Sequence, residues 1–408
     1  MRHTLAAIAA MASLTATAAA QVAPQMLPDG PGKQTAETAC LGCHEPGRIV
    51  ASGYSAADWD NIVHMMQNAG APVPAGQRAT LLAYLAQNFP EKPKPASPLL
   101  PGPATVVFHE WVVPTPGSRP HDPLATHDGM IWYTGHMAGL LGRIDPETGK
   151  IDEFRPPTPN AGPHGLVEDA QGNIWFTENF AGAIGKLDPR TGRFTEYPMP
   201  DPEVRDPHTP LFDRTGKLFF TAQSANRVGR LDPATGHITL VTVPTPHANP
   251  YGMVLTAKNI LWLDLFGANK LASLDPATMR ITEVDLPHKD SRPRRIAIAP
   301  DDVIYYSDYS RGDLGRFDPA TGKFDEWPSP GGPRSMPYGM TYLKGAIWYS
   351  ESNTRPNMLV RFDLATQKFQ TWPIPSGGGV VRNMMATRDG NIVIAESGVN
   401  RVALVEVR

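Results

Sequence analysis

The sequence predicts an all-β seven-bladed β-propeller preceded by a small all-α domain. From about residue 105 to the end, the turn Asp-Pro-x-Thr-Gly and its variants recur roughly every 43 residues, a spacing typical of propeller blades. The turns begin at Asp145, Asp188, Asp232, Asp275, Asp318 and, in weaker form, Asp363. Between them lie short β-rich segments, including one aromatic-rich strand per repeat. Four such segments per repeat indicate four-stranded blades.

Counting one position per repeat predicts seven blades in residues 105–408. The position follows a proline near the start of each inner strand, and we expect its residues to form a ring around one mouth of the central channel. The expected ring consists of His121, His164, His208, Tyr251, Arg294, Tyr338 and Asn383. The last repeat lacks a fourth strand, and residues 107–112 can supply it. Closing the ring in this way leaves no long free sheet edge.

Residues 30–90 predict a small helical domain. Ser55 is a suitable N-cap for a helix whose apolar positions Trp59, Ile62, Val63 and Met66 share one face. A further helix is expected over about residues 75–88. The proline-rich residues 91–104 predict an extended, fairly stiff linker between the two domains.

The N-terminus predicts export from the cytoplasm. A short polar stretch, an apolar Ala-rich run and Ala18-Ala19-Ala20 are typical of a signal peptide, here residues 1–20, cleaved near Ala20. No later segment is apolar for long enough to span a bilayer, so the protein is not expected to be transmembrane. The net charge of −3 and the absence of a basic stripe argue against binding to nucleic acid.

The motif Cys40-Leu41-Gly42-Cys43-His44 contains both cysteines of the chain. This spacing is typical of covalent haem c attachment, with two thioethers and an adjacent histidine on the iron. A disulfide at this spacing would be strained, and a zinc site would need further ligands. We therefore predict one haem c, bound through Cys40 and Cys43, with His44 as an iron ligand.

The sixth ligand of the haem iron is predicted to be Met66. A methionine sulfur is common at this position in electron-transfer cytochromes, and Met66 shares the helix face of Trp59. Met65 is turned about 100° away on an ideal helix. His64 is an alternative ligand that lies off the apolar face, and the alternative role of Met66 is to fill the core.

This segment resembles the small class I cytochromes c that end in Tyr-Leu-Ala-x-Asn-Phe. The resemblance lies in residues 40–44, in Trp59, in the step from Met66 to Gly70-Ala71, and in residues 84–89. It covers the whole predicted helical domain and implies that Met66 is the axial methionine.

Three histidines of the expected ring lie in consecutive blades. His121, His164 and His208 are accompanied by Glu178, at the end of the neighbouring strand, and by Asp206. Such a cluster suits a divalent metal or a general acid–base pair, although a hydrated polar channel mouth without chemistry is the alternative. The rest of the ring suits an anionic or aromatic ligand or simple solvation. The remaining propeller histidines His109, His127 and His136 have no repeat partners and are expected at the surface.

Residues 105–408 resemble the virginiamycin B lyase (streptogramin lyase) family of seven-bladed propellers. The residues that carry the resemblance are 119–121, 160–166, 172–178 and 183–189. The resemblance implies elimination of an ester, in which one histidine removes a proton, a histidine of the preceding blade binds substrate, and two carboxylates hold Mg²⁺.

The family pattern fits this chain in two registers, each lacking one carboxylate. In the first, which we prefer, His121 binds substrate, His164 is the base, Glu178 is the possible Mg²⁺ ligand, and Gly162 stands at the second carboxylate position. In the second register, His164 binds substrate, His208 is the base and Asp206 is the preceding acid. Ala222 then occupies the strand-end position.

Together these features predict an exported c-type cytochrome fused to a propeller that binds or acts on a small molecule. Metal-assisted C–O elimination is one predicted activity, with Mg²⁺ or another divalent metal as second cofactor. The alternatives are a periplasmic oxidoreductase, whose propeller oxidises a small substrate and passes electrons to haem, and a non-catalytic docking propeller. The expected partners are a periplasmic redox protein and a small-molecule ligand at the channel mouth.

Overall fold

A computed structural model describes residues 26–408, so the predicted signal peptide lies outside the described residues. Four α-helices come first, and a short 3₁₀ turn precedes the last of them. They are α1 (Lys33–Cys40), α2 (Pro46–Ala51), α3 (Ala56–Asn68) and α4 (Arg78–Asn88). Among residues 26–408, no helix has the length and apolarity needed to cross a bilayer.

The helices pack around a small apolar core. Trp59, Tyr84, Leu85 and Phe89 are all buried in it, and the indole nitrogen of Trp59 donates a hydrogen bond of 2.9 Å to the carbonyl of Phe89. The side chain of Ser55 accepts a hydrogen bond from the backbone of the first turn of α3, which confirms the predicted N-cap.

Twenty-eight strands of the described chain form seven four-stranded antiparallel sheets, which confirms the seven-bladed propeller. The strands of blades 1 to 3 are β2 (Pro120–Ala125), β3 (Ile131–Gly135), β4 (Leu140–Ile144), β5 (Ile151–Phe154), β6 (Pro163–Glu168), β7 (Ile174–Glu178), β8 (Ala183–Asp188), β9 (Arg193–Pro198), β10 (Pro207–Phe212), β11 (Leu218–Ala222), β12 (Arg227–Leu231) and β13 (Ile238–Thr242). Blades 4 and 5 contain β14 (Pro250–Leu255), β15 (Leu261–Leu265), β16 (Lys270–Asp275), β17 (Arg280–Asp285), β18 (Pro293–Ile298), β19 (Ile304–Asp308), β20 (Asp313–Asp318) and β21 (Lys323–Pro328). Blades 6 and 7 contain β22 (Pro337–Leu343), β23 (Ala346–Glu351), β24 (Met358–Asp363), β25 (Phe369–Pro373), β26 (Val381–Ala386), β27 (Ile392–Glu396), β28 (Arg401–Val407) and β1 (Val106–Val112).

The seventh blade joins the two ends of the propeller segment. Strand β1 pairs antiparallel with β28 along its whole length, from Val106 opposite Val407 to Val112 opposite Arg401. The predicted closure is therefore confirmed: β1 is the outermost strand of the seventh blade.

An aromatic ring lying across a glycine repeats in four blades. A Cβ atom on Gly185 would come within 2.1 Å of the Phe176 ring, and one on Gly315 within 2.0 Å of the Tyr306 ring. Gly142 and Gly229 stand in the same relation to the rings of Tyr133 and Phe220. Because a side chain would displace the ring, these positions of the third strand require glycine.

A hydroxyl group links each of the first three blades to the next. Thr177 accepts a hydrogen bond from the backbone N–H of Gly165 (2.9 Å) and donates one to the backbone carbonyl of His208 in the following blade (2.8 Å). Thr134 and Thr221 make the same contacts to the carbonyls of His164 and Tyr251. These bonds hold the inner strands at the level where the ring residues meet.

The helical segment lies against the propeller. Asn61 and Asn68 on α3 donate hydrogen bonds to the carbonyls of Gly398 (2.7 Å) and Pro116 (2.9 Å). The backbone of α3 at His64 lies so close to Gly117 that a Cβ atom there would be 2.5 Å away. Helix α3 therefore packs beside the loop that leads into the first inner strand β2 and beside the short turn between β27 and β28.

The proline-rich residues 91–104 run along the outer strand of blade 6. The side chain of Thr371 donates a hydrogen bond to the carbonyl of Pro98 (2.6 Å) and accepts one from the backbone of Leu100 (2.8 Å). Gln370 bonds to both backbone groups of Ala104. The segment contains no helix or strand, and these hydrogen bonds attach it to the propeller surface.

Candidate functional site

Seven equivalent residues surround one end of the central channel, and we call this ring the channel mouth. Each follows the first residue of a bulged inner strand. The ring consists of His121, His164, His208, Tyr251, Arg294, Tyr338 and Arg382. The bulge turns these side chains out of the regular alternation of the strand.

The prediction of Asn383 as the seventh member was wrong. Val381 pairs with Glu396 as Pro120 pairs with Gly135, so Arg382 is equivalent to His121. The error arose because the last inner strand begins with valine, and counting from a proline misses it. The channel mouth therefore contains two arginines.

The three predicted histidines form a stack of buried rings. The ring centroids of His121 and His164 are 3.7 Å apart, and those of His164 and His208 are 3.8 Å apart. Tyr251 continues the stack at 4.0 Å from His208. The structure thus brings His121, His164 and His208 together as the repeat pattern predicts.

A fourth histidine joins this group, in contrast to the expected surface position of His136. Its side chain is buried, and its ring centroid lies 5.4 Å from that of His121 and 5.2 Å from that of His164. His136 directly follows β3, the second strand of blade 1, and therefore does not belong to the ring of inner-strand residues. His109 and His127 are exposed, as expected.

The four imidazoles are held in their neutral form. Burial lowers the pKa of each well below 6.5, and the positive charge of nearby arginines, Arg382 beside His121 among them, lowers it further. The Nδ1 atoms of His136 and His164 are buried without a hydrogen-bond partner. Neutral imidazoles offer both a donor and an acceptor to a ligand.

Asp122 is a site residue that the repeat analysis missed. Its Oδ1 accepts hydrogen bonds from His121 Nδ1 (2.8 Å) and Arg295 Nη2 (2.9 Å), and its Oδ2 accepts one from Asn383 Nδ2 (3.0 Å). These three groups come from blades 1, 5 and 7. Asp122, Arg295 and Asn383 occupy equivalent positions, one residue beyond the mouth ring, and counting that position would have found them.

His121, Asp122 and His164 place one ligand atom each within 4.8 Å of one another, a geometry that a metal ion could use. The residues fit a divalent cation poorly. Both oxygens of Asp122 are already bound, one of them by the Arg295 guanidinium. Further arginines lower the pKa of both histidines, which shows that the local potential is positive. This potential opposes a cation.

The predicted carboxylates Glu178 and Asp206 are not members of this cluster. Glu178 is buried at the end of β7, where burial and the neighbouring Glu196 raise its pKa to about 8. Asp206 accepts hydrogen bonds from the backbone and hydroxyl of Ser224, and burial raises its pKa. The carboxylate of Asp206 is thus engaged by Ser224, whereas neither oxygen of Glu178 has a hydrogen-bond partner.

A cavity of about 430 Å³ lies between α3 and the channel mouth. Ile62 and Met65 line it from the helix, and Arg119 and Arg382 line it from the propeller. Lys94 of the proline-rich segment also contributes. Its volume is in the range of small-molecule sites, and it connects the helical segment with the residues of the ring.

The motif Cys40–His44 lies at the end of α1. The backbone N–H groups of Cys43 and His44 both bond to the carbonyl of Cys40 (3.3 and 3.0 Å), so the motif forms a single tight turn. Both thiols are free, and Cys40 packs at the edge of the apolar helical core. Two free thiols and an imidazole on one turn beside an apolar surface suit covalent attachment of haem.

The two adjacent methionines of α3 have different environments. Met65 is buried and lines the cavity beside the propeller, whereas Met66 is only partly buried. His64 lies 3.6 Å from Asp60 and is partly exposed. The assignment of Met66 as sixth iron ligand stays a prediction.

Comparison with known proteins connects the propeller with one family. The model of the virginiamycin B lyase family matches residues 104–265 and 236–408. A streptogramin B lyase structure is 26% identical, with a TM-score of 0.68, and the match covers 74% of this chain and 98% of that chain. A virginiamycin B lyase from Staphylococcus aureus is 24% identical, with a TM-score of 0.67 and coverage of 74% and 99%.

A more distant solved structure is similar in fold alone. Hydrazine synthase from Kuenenia stuttgartiensis is 13% identical, with a TM-score of 0.59, covering 70% of this chain and 95% of that chain. No curated protein matches the chain in sequence.

Proposed function

This chain belongs to the virginiamycin B lyase family through residues 104–408, and on that premise we propose that it is an exported haem c protein whose propeller binds a small molecule at the channel mouth. The observation that carries the proposal is the shared cavity. One wall comes from α3 of the haem-binding segment, and the opposite wall contains Arg119 and Arg382 of the propeller. A ligand in this cavity contacts both parts of the protein.

In the proposed protein, Cys40 and Cys43 hold the haem through thioethers, and His44 and Met66 are its iron ligands. When bound, haem c accepts and releases single electrons. The surrounding residues exclude water: Trp59, Tyr84 and Leu85 form the apolar core next to the motif. The proposed electron acceptor is a periplasmic redox protein.

At the channel mouth, the neutral histidines can accept a proton from a bound molecule whose own negative charge offsets the positive potential that lowers their pKa. His164 has an unpartnered ring nitrogen, and its rigid stacking between His121 and His208 fixes its direction. The hydroxyl of Thr134 donates a hydrogen bond of 2.7 Å to the backbone carbonyl of His164. This arrangement supports proton abstraction from a small molecule, which both an oxidation and an elimination require.

Haem attachment is tested by producing the full chain in a host with a c-type maturation system. We expect a covalent haem, seen as a mass increase of one haem and as c-type absorption bands. The variant Cys40→Ala loses one thioether and Met66→Ala loses the bands of a low-spin iron, while Met65→Ala keeps them. A protein that leaves maturation without covalent haem contradicts this part of the proposal.

Ligand-linked electron transfer is tested by mixing the oxidised protein with a panel of small alcohols, aldehydes and phenols. We expect at least one to reduce the haem, and Val399→Trp, which narrows the cavity, to slow that reduction about ten-fold or more. The exposed Val112→Trp is the control. Reduction by ascorbate but by no panel member would instead favour a docking propeller.

A lyase activity is the second candidate, favoured by the family and by the similarity to a streptogramin B lyase. In it, His164 removes a proton, His121 binds substrate, and Glu178 would contribute to Mg²⁺ binding. The second register would use His208 and Asp206. Incubating the protein with a type B streptogramin and Mg²⁺ tests it, since linearisation adds a detectable new chain end. Absence of turnover removes this candidate for that substrate.

A further inference from the structure

The two arginines of the channel mouth, Arg294 and Arg382, lie near a third, Arg119, just before the first inner strand. Arg119, Arg294 and Arg382 form no ion pair within the part of the chain that the structure describes. Their mutual proximity is visible in Arg119, whose pKa burial lowers to about 9, with the charges of Arg382 and Arg294 contributing. A cluster of partly buried, uncompensated charges is costly in a folded protein.

Arg294 is enclosed by aromatic rings instead of acids. Its guanidinium carbon lies 4.1 Å from the ring centroid of Tyr338, 4.2 Å from that of Tyr309 and 4.7 Å from that of Phe266. Such cation–π contacts hold the group in place without offering a carboxylate to it. The Nε atoms of Arg294 and Arg382 are buried and have no hydrogen-bond partner.

The nearby carboxyl groups do not balance this charge. Asp122 is paired with a fourth arginine, Arg295. Asp264, whose pKa burial raises to about 8, is largely protonated at neutral pH. Because the four histidines are neutral as well, the positive charges of Arg294 and Arg382 at the mouth and of the adjoining Arg119 have no paired carboxylate.

We infer that the channel mouth and the adjoining cavity form a binding site for the carboxylate group of a small organic molecule. The inference rests on the proposed function, since it names the class of ligand for the same site. The carboxylate bonds to Arg382 and Arg119 at the floor of the cavity, where planar guanidinium groups can each offer two parallel N–H donors. The remainder of the molecule occupies the 430 Å³ space toward α3.

The neighbouring groups favour an anion with an organic body. Lys94 also lines the cavity and adds a further positive charge. On the opposite wall, Ile62 and Met65 are apolar, whereas Asp58 contributes a carboxyl group that is hydrogen-bonded to Ser55. An inorganic oxyanion would satisfy the arginines but would leave this wall without a partner. The cavity therefore matches a molecule with one charged end and one apolar end.

The experiment uses the full haem-loaded chain and benzoate as probe, with binding measured by calorimetry. Benzamide has the same shape without the charge, and inorganic phosphate has the charge without the apolar body. We expect benzoate to bind at least ten-fold more tightly than benzamide and phosphate. In Arg382→Met and Arg119→Met, benzoate affinity falls at least ten-fold. Arg382→Lys keeps the charge and retains more affinity than Arg382→Met.

The matched control is Arg190→Gln, because Arg190 is exposed on a surface turn. It leaves benzoate affinity unchanged. Equal affinity for benzoate and benzamide, tighter binding of phosphate than benzoate, or binding that survives Arg382→Met in a folded protein each overturns the inference. Failure of the proposed function is separate: missing haem appears in the absorption spectrum, whereas benzoate binding depends only on the cavity and the arginines.

Discussion

At the scale of single residues, acids at the ends of second strands are a recurrent buried feature. They are Glu178, Asp308, Glu351 and Glu396, and each has at least one carboxylate oxygen without a hydrogen-bond partner. Aligning the repeats at the strand end would have found all four, although only Glu178 was singled out. For Glu178 and Glu396, burial raises the pKa to about 8, so proton binding by these two acids contributes to the stability of the fold.

Glu396 leads to a prediction about pH. Burial and the neighbouring Glu110 raise its pKa to about 8, so the folded protein keeps a proton that the unfolded chain releases above about pH 4. This contribution to stability is present at low pH and is lost as pH rises toward 8. Glu396→Gln keeps an acceptor for Ser376 and removes the charge. We expect it to unfold at higher temperature than the wild type at pH 8.

The difference between Glu396→Gln and the wild type should disappear near pH 4. Each unit of pKa shift corresponds to about 1.4 kcal/mol, so the gain at pH 8 amounts to several kcal/mol at most. Thermal unfolding across pH 4 to 8 measures it, and Glu147→Gln on an exposed turn is the control. A variant that is less stable than the wild type at pH 8 contradicts the prediction.

At the scale of elements, the position of the channel mouth depends on hydroxyl links between blades. Asp264 occupies the equivalent position in blade 4 and accepts a hydrogen bond from the backbone of Gly252 at 2.8 Å. Its raised pKa of about 8 leaves it protonated at neutral pH, so its carboxyl group resembles a hydroxyl as both donor and acceptor. Its Oδ2 has no hydrogen-bond partner, so Asp264 does not form the link to the next blade that the threonine hydroxyls form.

Removing one link should destabilise the propeller. Thr177→Val has nearly the same shape but leaves the buried N–H of Gly165 and the carbonyl of His208 without their partner. We expect a loss of about 2 to 3 kcal/mol in the free energy of unfolding. Chemical denaturation measures it. Thr177→Ser, which restores the hydroxyl, should recover most of the loss, and equal losses for both variants would argue against the link.

At the scale of the whole molecule, Gly117 permits the close approach of α3 to the propeller. Its φ is 66°, and a Cβ atom would lie 2.5 Å from the backbone of His64 and Met65. Gly192 has a similar φ of 70° but nothing within 4 Å of the added atom. The two glycines thus share backbone strain and differ only in the contact.

Gly117→Ala should therefore loosen α3 from the propeller, whereas Gly192→Ala should not. We expect faster amide hydrogen exchange in α3 and in residues 116–119, and weaker benzoate binding because the cavity loses its helical wall. Both variants carry the strain of a left-handed alanine, about 1 kcal/mol. The idea fails if exchange in α3 is the same in the two variants.

Much of this architecture follows from the sequence alone. The recurrence of Asp-Pro turns determined the repeat length, the inner-strand position counted once per repeat determined the number of blades, and the position of residues 107–112 determined how the ring closes. The spacing of Cys40, Cys43 and His44 determined the haem prediction, which needs no long-range contact. Repeats report which residues occupy equivalent positions, because each blade must form the same strand pairs.

Only the tertiary structure decided which side chains meet across the channel. Asp122, Arg295 and Asn383 come from blades 1, 5 and 7 and contact one another only because the ring is closed. The same closure buries His136 among the other histidines and places Arg119 beside α3. It also brings Arg382, and not the predicted Asn383, to the channel mouth. Periodicity describes each blade separately, whereas charge balance at the axis depends on all seven together. The excess positive charge at the mouth is therefore a property of the assembled molecule.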